Sequence, residues 1–281
     1  MTTTEVPTGV GRTAIMVSWI RSAEAERPDA LFRDQFADEV LSELGEAPET
    51  AELVAALRDG GPLADQLRSP RFSFIAVRTR YIDDRLTTAM HRGIRQVVSL
   101  AAGLDGRTTR LHCPPGTRWY EVDLPVMTAF KQHLLDRSAL PPTCARQGVA
   151  ADLTGDWAQR LRDTDFDPSV PTAFLIEGLL MYLSPQAGDK LLAEVSEVSA
   201  PGSELLLEHL SDRSLTSTDT PLRDVVESQG ARWLSAQDDL TGWLGRHGWR
   251  AEVHANNDPA VSCGRVPEGG ETWLWLAHAV R

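Results

Sequence analysis

Apolar side chains recur at spacings of three and four residues over the first third of the chain. This period is typical of amphipathic helices, and it predicts helices over residues 13–26, 35–44, 50–58 and 71–90. Prolines and glycines separate these segments, as residues that interrupt helices do. The sequence therefore predicts a helical N-terminal extension or lid over residues 1–92.

After Gly93 the pattern changes to short apolar runs that alternate with helix-like segments. The runs predict strands over residues 96–101, 118–122, 145–149, 172–176 and 204–207. Helices are predicted over residues 107–111, 126–135, 157–162 and 185–199, the last with Ser184 as its N-cap. Continuous apolar strands that alternate with helices are typical of a parallel sheet covered on both faces, so the predicted fold class is α/β.

The C-terminal part has a different organisation. Two strand-like runs at residues 249–254 and 272–280 flank a segment rich in Gly, Pro and Asn, which predicts an antiparallel hairpin. Residues 211–221 are rich in Ser, Thr and Asp and predict a loop. At 281 residues and 30.9 kDa the chain suits one large domain with an elaboration. We expect a core over residues 93–281, with residues 211–247 as a cap insertion.

Charge and cysteine content narrow the set of partners. With 28 Lys and Arg against 40 Asp and Glu, the formal net charge of −12 repels nucleic acid and anionic membranes, although acidity alone also serves solubility. No apolar run reaches the ~18 residues of a membrane span, and from the first residues we expect no secretion signal. Cys113, Cys144 and Cys263 lie far apart without a CxxC pair. We expect a cytoplasmic protein with reduced cysteines, no metal and a small-molecule substrate.

A glycine turn and an acidic residue form the candidate cofactor site. Gly103 follows the first strand, where the turn faces the ligand crevice of an open α/β sheet. Asp123 stands twenty residues later, at the end of the second strand, where a carboxylate can accept hydrogen bonds from both ribose hydroxyls of an adenosine group. Taken singly, the glycine could be an ordinary turn and the aspartate a helix cap. Together they suggest an adenosine cofactor.

The glycine count favours a cofactor without phosphates. A dinucleotide site prefers three glycines as GxGxxG, and this turn offers only Gly103 and Gly106. S-adenosylmethionine has a cationic sulfonium and a zwitterionic amino acid end, which an acidic chain does not oppose. Methyl transfer is therefore favoured over hydride transfer. A nicotinamide-dependent oxidoreductase and a non-catalytic binding protein of the same fold stay open as alternatives.

Several local strings are more specific than the fold. In chain order they are GRTA (11–14), RTRYIDD (78–84), VVSLAAGLDGR (97–107), YEVDLP (120–125) followed by Lys131, ADL (151–153) and EGLLMYL (177–183). With these strings the chain resembles the leucine carboxyl methyltransferase family, in particular its actinobacterial branch of S-adenosylmethionine-dependent methyltransferases. The resemblance implies a class I methyltransferase fold, which is a Rossmann-like, seven-stranded sheet with a reversed final hairpin.

The resemblance also implies roles for individual residues. Arg80 would pair with the carboxylate of the cofactor's methionine moiety, a task that suits a planar guanidinium; its alternative is an exposed i,i+4 pair with Asp84. Gly103 would lie beneath the cofactor and Asp123 would hold the ribose. Asp152 and Leu153 would bracket the adenine.

Glu177 is the remaining candidate for the cofactor. It ends the fourth strand, so its carboxylate would point into the crevice and could stabilise the cofactor's ammonium group. The alternative is a carboxylate that interacts with the dipole of the following turn. One difference from the family affects cofactor affinity: the family usually has GAGLDTR, whereas this chain has Ala101 for the first glycine and Gly106 for the threonine.

The acceptor decides whether a catalytic base is needed. Methyl transfer requires mainly alignment of the nucleophile and exclusion of water. A carboxylate is ionised at neutral pH and needs no base, whereas a phenol or alcohol would gain from one. Tyr182 could line the acceptor pocket, and His209 or His133 could be the base. In the family that the chain resembles, the better-known activity is methylation of a protein's C-terminal carboxylate, but bacterial relatives are also linked to small-molecule tailoring. From this resemblance we expect O-methylation of a small carboxylic acid or hydroxylated metabolite.

Overall fold

A computed structural model describes residues 10–69, 72–217, 221–228, 230–266 and 271–281 of the chain. A seven-stranded sheet with the order β3-β2-β1-β4-β5-β7-β6 organises the fold. Its strands are β1 (Gln96–Leu100), β2 (Arg118–Asp123), β3 (Ala145–Ala150), β4 (Thr172–Ile176), β5 (Glu204–Leu210), β6 (Arg250–Ala255) and β7 (Leu274–Val280). The first five strands are parallel, and β7 runs antiparallel to both β5 and β6. The predicted Rossmann-like sheet with a reversed final hairpin is confirmed.

Helices surround this sheet. Those before it are α1 (Val10–Ala25), α2 (Gln35–Glu46), α3 (Ala51–Arg58), α4 (Pro62–Arg68) and α5 (Ser73–His91). Those after the first strand are α6 (Arg107–Arg110), α7 (Pro125–Arg137), α8 (Trp157–Arg162), α9 (Pro185–Glu197), α10 (Asp212–Thr216), α11 (Pro221–Ser228) and α12 (Leu240–Arg246), with a 3-10 turn at Leu180–Tyr182. None of the helices in the described segments has the length and apolar character of a bilayer span.

Two apolar layers, one on each sheet face, hold these elements together. Strand residues alternate between the faces, so that Leu206 packs into one layer and its neighbours Leu205 and Leu207 into the other. The first layer contains α1, α2, α5 and α7, and the second contains α8, α9 and α12. Each sheet face is buried beneath helices, which explains why the parallel strands read as continuous apolar runs.

The predicted segments differ from the structure in several places. The strand predicted to end at Leu207 continues to Leu210, because Glu208 and His209 are fully buried within it. Residues 211–221, predicted as a loop, contain α10 and the first residue of α11, and residues 218–220 lie outside the described part. The sequence analysis also does not predict α4, α11 or α12. Helix α4 begins at Pro62, a residue suited to a helix N-terminus.

Candidate active site

A cavity of about 610 Å³ opens where the parallel strands β1 to β4 end. This is the edge at which open α/β sheets bind ligands. Its walls combine strand-end loops with residues of α1, α5 and α11. The cavity brings together six of the residues singled out in the sequence, namely Gly103, Asp123, Asp152, Leu153, Glu177 and Tyr182.

The loop between β1 and α6 has an unusual backbone. Ala101 has φ +55° and Gly103 has φ +48°, both in the left-handed region that side chains disfavour. At Gly103 an added Cβ would meet only Ala14 Cβ, at 3.9 Å, and the Ala101 carbonyl oxygen, at 4.0 Å. The loop therefore presents bare backbone to the cavity, which leaves room for a ligand to approach it closely.

Gly106 lies against the N-terminal helices. A Cβ at this position would overlap Asp34 Oδ1 and would stand 3.1 Å from Phe36 Cβ, so a side chain fits here only if Asp34 moves. Asp34 is completely buried, and its carboxylate accepts a hydrogen bond from the Ala37 N–H at the start of α2. The threonine that the family usually has here would collide with Asp34, so the difference at Gly106 reflects local packing.

Asp123 connects the second strand to this loop. Its Oδ2 accepts the N–H of Gly103 and its Oδ1 accepts the N–H of Leu124, both at 2.7 Å. Burial raises the pKa of Asp123, and these two hydrogen bonds oppose the rise. Each carboxylate oxygen can accept a further bond. The residue is fixed where a diol in the cavity could bind it.

Asp152 and Leu153 lie side by side after β3 and both line the cavity. The Asp152 carboxylate accepts hydrogen bonds from the backbone N–H and the hydroxyl of Thr154, each at 2.8 Å, which lower its pKa. Asp152 is exposed and Leu153 is half-buried. The pair presents a carboxylate and an apolar side chain to the same part of the wall.

Arg80 does not reach the cavity. Its Nε bonds Asp84 Oδ2 at 2.7 Å and its Nη1 donates to the Leu31 carbonyl, with 43% of its side chain exposed. The structure thus shows the i,i+4 pair. Arg78, two residues earlier on α5, lines the cavity instead and is buried. Two residues correspond to about 200° around a helix, so the two guanidinium groups lie on different sides.

Arg78 belongs to a buried ionic cluster that Glu177 joins together. Glu177 lies 2.9 Å from Arg78 Nε and 2.6 Å from Arg107 Nη1. Arg107 also pairs with Asp105 at 2.9 Å and with Asp83 at 2.6 Å. Burial opposes ionisation of Glu177, but Arg107 and Arg78 more than offset it and hold its pKa below the ordinary value. The cluster carries charges of both signs at the cavity wall.

Glu208 lies behind Arg78 on β5. It is fully buried, 3.1 Å from Arg78 Nη1, and accepts the N–H of Gly178 at 2.5 Å. Burial raises its pKa to about 7, despite the attraction of Arg78. Arg78 therefore lies between two carboxyl groups, Glu177 at the cavity wall and Glu208 beneath it.

Tyr182 and His209, the two candidate catalytic residues, have different surroundings. Tyr182 lines the cavity, and burial raises its pKa against the opposing effect of hydrogen bonds to Thr13 and Trp233. His209 is not among the lining residues. It is buried beside Trp243 of α12, its Nδ1 accepts the Leu210 N–H at 2.9 Å, and burial lowers its pKa to about 4. Its strand position directs it to the sheet face opposite Glu208.

Arg78, Arg107, Glu208 and Asp34 were not among the predicted site residues. For Arg78 a signal was present, because it stands three residues after Ile75 and four before Ile82 and so shares their apolar helix face. Arg107 is the last residue of the VVSLAAGLDGR string. Nothing in the sequence brings Asp34 or Glu208 to this edge, because their positions depend on tertiary packing.

The residues present fit the groups of S-adenosylmethionine. Asp123 can accept from a ribose diol, and the bare backbone at Gly103 allows close approach. The cluster of Arg78, Arg107 and Glu177 offers both signs of charge, as a zwitterionic amino acid end requires. The buried Nη2 of Arg107 has no hydrogen-bond partner within the described segments, so it is available to an anionic oxygen.

Comparison with known proteins identifies the family. A sequence model described as leucine carboxyl methyltransferase matches residues 14–196. A Parafrankia sp. protein named "putative S-adenosyl-L-methionine-dependent methyltransferase" is 42% identical over 248 residues, which cover 86% of this chain and 77% of the relative. A Streptomyces coelicolor protein with the same description is 39% identical over 263 residues, covering 92% of this chain and 89% of the relative.

Solved structures agree in fold. A DUF574 family protein from Streptomyces avermitilis has a TM-score of 0.61 at 16% identity, with 91% of this chain and all of that chain (100%) covered. A protein from Thermobifida fusca, titled a putative methyltransferase, has a TM-score of 0.55 at 21% identity, with 86% and 93% covered. The resemblance found in the local strings is thus confirmed over most of the sequence, and the chain belongs to the leucine carboxyl methyltransferase family.

Proposed function

We propose that this S-adenosylmethionine-dependent methyltransferase forms methyl esters on the carboxylate of a small acceptor. One observation carries the choice of a carboxylate: no histidine is found among the described residues that line the cavity. His209 faces the other side of the sheet, and Tyr182 retains its proton because its pKa is raised. A carboxylate is ionised at neutral pH and needs no base, whereas an alcohol does.

The cofactor would be held along the strand ends. Asp123 would accept from the ribose hydroxyls above Gly103, and Asp152 with Leu153 would flank the adenine. Arg78, not Arg80, would pair with the methionine carboxylate, since Arg78 lines the cavity. Glu177 would face the ammonium group. When bound, S-adenosylmethionine supplies a methyl group on a cationic sulfur; the acceptor oxygen gains the methyl and the sulfur keeps the electron pair of the broken bond.

The chain's own residues would align the acceptor and exclude water. Tyr182 stays protonated, so its hydroxyl can donate a hydrogen bond to an acceptor carboxylate. We further propose that residues 1–92 form the lid of this site and that residues 211–247 form a cap over the core of residues 93–281. This division is supported by Met16, Ile20 and Val225, which line the cavity from α1 and α11.

Membership in a methyltransferase family decides against the nicotinamide-dependent oxidoreductase as the function of this chain.

The alternative of a non-catalytic binding protein is tested by turnover, as is the choice of nucleophile. The protein is incubated with methyl-labelled S-adenosylmethionine and carboxylic acids, each paired with the alcohol of the same carbon skeleton. We expect label in products that mild alkali hydrolyses to methanol, because esters are alkali-labile and ethers are not. Label confined to alkali-stable products of the alcohols would contradict the proposal.

A further inference from the structure

The cavity has two chemically different sides. Its carboxylates and two of its arginines lie at the strand ends and on α5, in the part assigned above to the cofactor. The other side is the lining that α1, the first turn of α5, α11 and the segment after it contribute, and it is apolar except for Thr13 and Arg21 of α1. We call this side the apolar chamber and define it by Met16, Val17, Ile20, Ile75, Val225 and Trp233.

The cationic groups that reach the cavity already have counterions. Arg21, the charged lining residue of α1, has its Nε 3.1 Å from Asp34 Oδ2 and its Nη2 donates to the Leu104 carbonyl at 2.5 Å. Arg78 and Arg107 both pair with Glu177. Of the described lining residues, none offers an uncompensated cation to the apolar chamber. A second anionic group on the acceptor would therefore be buried without a partner, which is strongly unfavourable.

We infer that the acceptor is an apolar monocarboxylic acid, whose carboxylate lies near Tyr182 and whose hydrocarbon body fills the apolar chamber. This inference rests on the proposed function and adds the chemical class of the substrate to it. The Tyr182 hydroxyl lies at the edge of the apolar chamber, because Tyr182 lines the cavity and its hydroxyl hydrogen-bonds Thr13 of α1 and Trp233 of the chamber.

Chain length and polarity of the acceptor have opposite effects. Each methylene that enters the chamber strengthens binding about fourfold, until the chamber is full. A second carboxylate at the far end of the acid is desolvated in the chamber without a partner. We therefore expect the diacid to bind about 100-fold or more weakly than the monoacid of the same length.

The test measures binding rather than turnover. Hexanoic, octanoic, decanoic and decanedioic acids are titrated into the protein saturated with S-adenosylhomocysteine. We expect affinity to rise along the three monoacids and decanedioic acid to bind far more weakly than decanoic acid. Equal affinity for the monoacid and the diacid, or no binding of any of the four, would overturn the inference.

A variant with an added charge distinguishes a change in selectivity between the two acids from a general loss of binding. Val17 is half-buried on α1 within the apolar chamber, so Val17→Lys places a cation there. We expect this variant to bind decanedioic acid at least about tenfold more tightly than the wild type and decanoic acid more weakly. Val170→Lys, at a position 37% exposed and outside the cavity lining, adds the same charge as a control. An unchanged ratio of the two acids in Val17→Lys would contradict the inference.

The two proposals fail differently. If acids bind with the expected selectivity but only alcohols are methylated, the apolar chamber stands and the carboxylate assignment is wrong. If carboxylates are methylated without regard to a second charge, the proposed function stands and the apolar acceptor is wrong.

Discussion

Single residues of the loop after β1 show how backbone conformation and packing constrain the sequence of this part of the cavity wall. Ala101 occupies a left-handed conformation, which explains why the family usually has glycine at this position. Gly106 touches Asp34, which explains why the family's threonine is absent. The difference at Gly106 thus has a packing cause, whereas nothing in the structure explains the alanine at position 101.

Substitutions at these two positions should change stability in opposite directions. Gly106→Ala places a Cβ against the buried Asp34 carboxylate, and we expect the free energy of unfolding to fall by about 1–3 kcal/mol. Ala101→Gly relieves the left-handed strain, and we expect a rise of up to about 1 kcal/mol, reduced by the greater freedom of the unfolded chain. Urea denaturation measures both, and a Gly106→Ala protein as stable as the wild type would refute the packing argument.

Among the elements, helix α1 is joined to the cofactor loop by buried charges. Arg21 of α1 donates to the Leu104 carbonyl in the loop and pairs with Asp34, which in turn contacts Gly106. Arg21 is 5% exposed and Asp34 is fully buried, so neither charge can be solvated if its partner is lost. Helix α1 and the loop between β1 and α6 are thereby held in one arrangement.

Breaking this pair should destabilise the protein strongly. In Asp34→Asn the buried Arg21 loses its counterion, and we expect a loss of about 3 kcal/mol or more in the free energy of unfolding. Glu46→Gln, an exposed change at the end of α2, is the control, with an expected effect within about 0.5 kcal/mol. Denaturation curves in urea compare the two variants. Similar stabilities would mean that the Arg21–Asp34 pair contributes little.

The apolar pattern predicts most strands and helices, but it does not predict the full length of β5. The strand predicted over residues 172–176 matches β4 because that strand is buried on both faces. Strand β5 was predicted too short because Glu208 and His209 resemble the end of a strand. In the structure each is buried on a different face with its own partner. Such partners come from distant parts of the chain, and a single sequence does not identify them.

The sequence predicts which strand-end residues line the cavity, but it does not distinguish Arg78 from Arg80. Gly103, Asp123 and Glu177 meet at one cavity because they follow neighbouring parallel strands, and that order follows from the fold class. Arg80 was chosen from a string that also contains Arg78, and only the side of α5 that faces the sheet distinguishes them. The binding roles of all these residues stay predictions.

Across the whole molecule, the ionic cluster joins α5, α6 and the ends of β4 and β5 in the protein interior. Glu208 makes this cluster sensitive to pH. Its carboxyl group has an ordinary pKa of 4.5, which burial raises to about 7 in the folded protein. Between these values the folded state binds more protons than the unfolded state, so this group's contribution to stability falls as the pH rises.

Glu208→Gln should remove the pH-dependent contribution of the Glu208 carboxyl group to stability. The amide stays neutral at every pH, so we expect the variant to gain stability relative to the wild type between pH 5 and pH 7, by up to about 3 kcal/mol. Urea denaturation of both proteins at several pH values gives the difference. Parallel stability curves over this interval would show that Glu208 is ionised throughout.

The central claim is that S-adenosylmethionine binds at the strand ends, with Arg78 on its carboxylate. Calorimetric titration with S-adenosylhomocysteine tests it in the wild type and in Arg78→Lys and Arg80→Lys, two conservative changes on the same helix. We expect Arg78→Lys to weaken binding about tenfold or more, since an ammonium lacks the bidentate fork, and Arg80→Lys to bind as the wild type does. No binding to the wild type, or an effect confined to Arg80→Lys, would contradict the account.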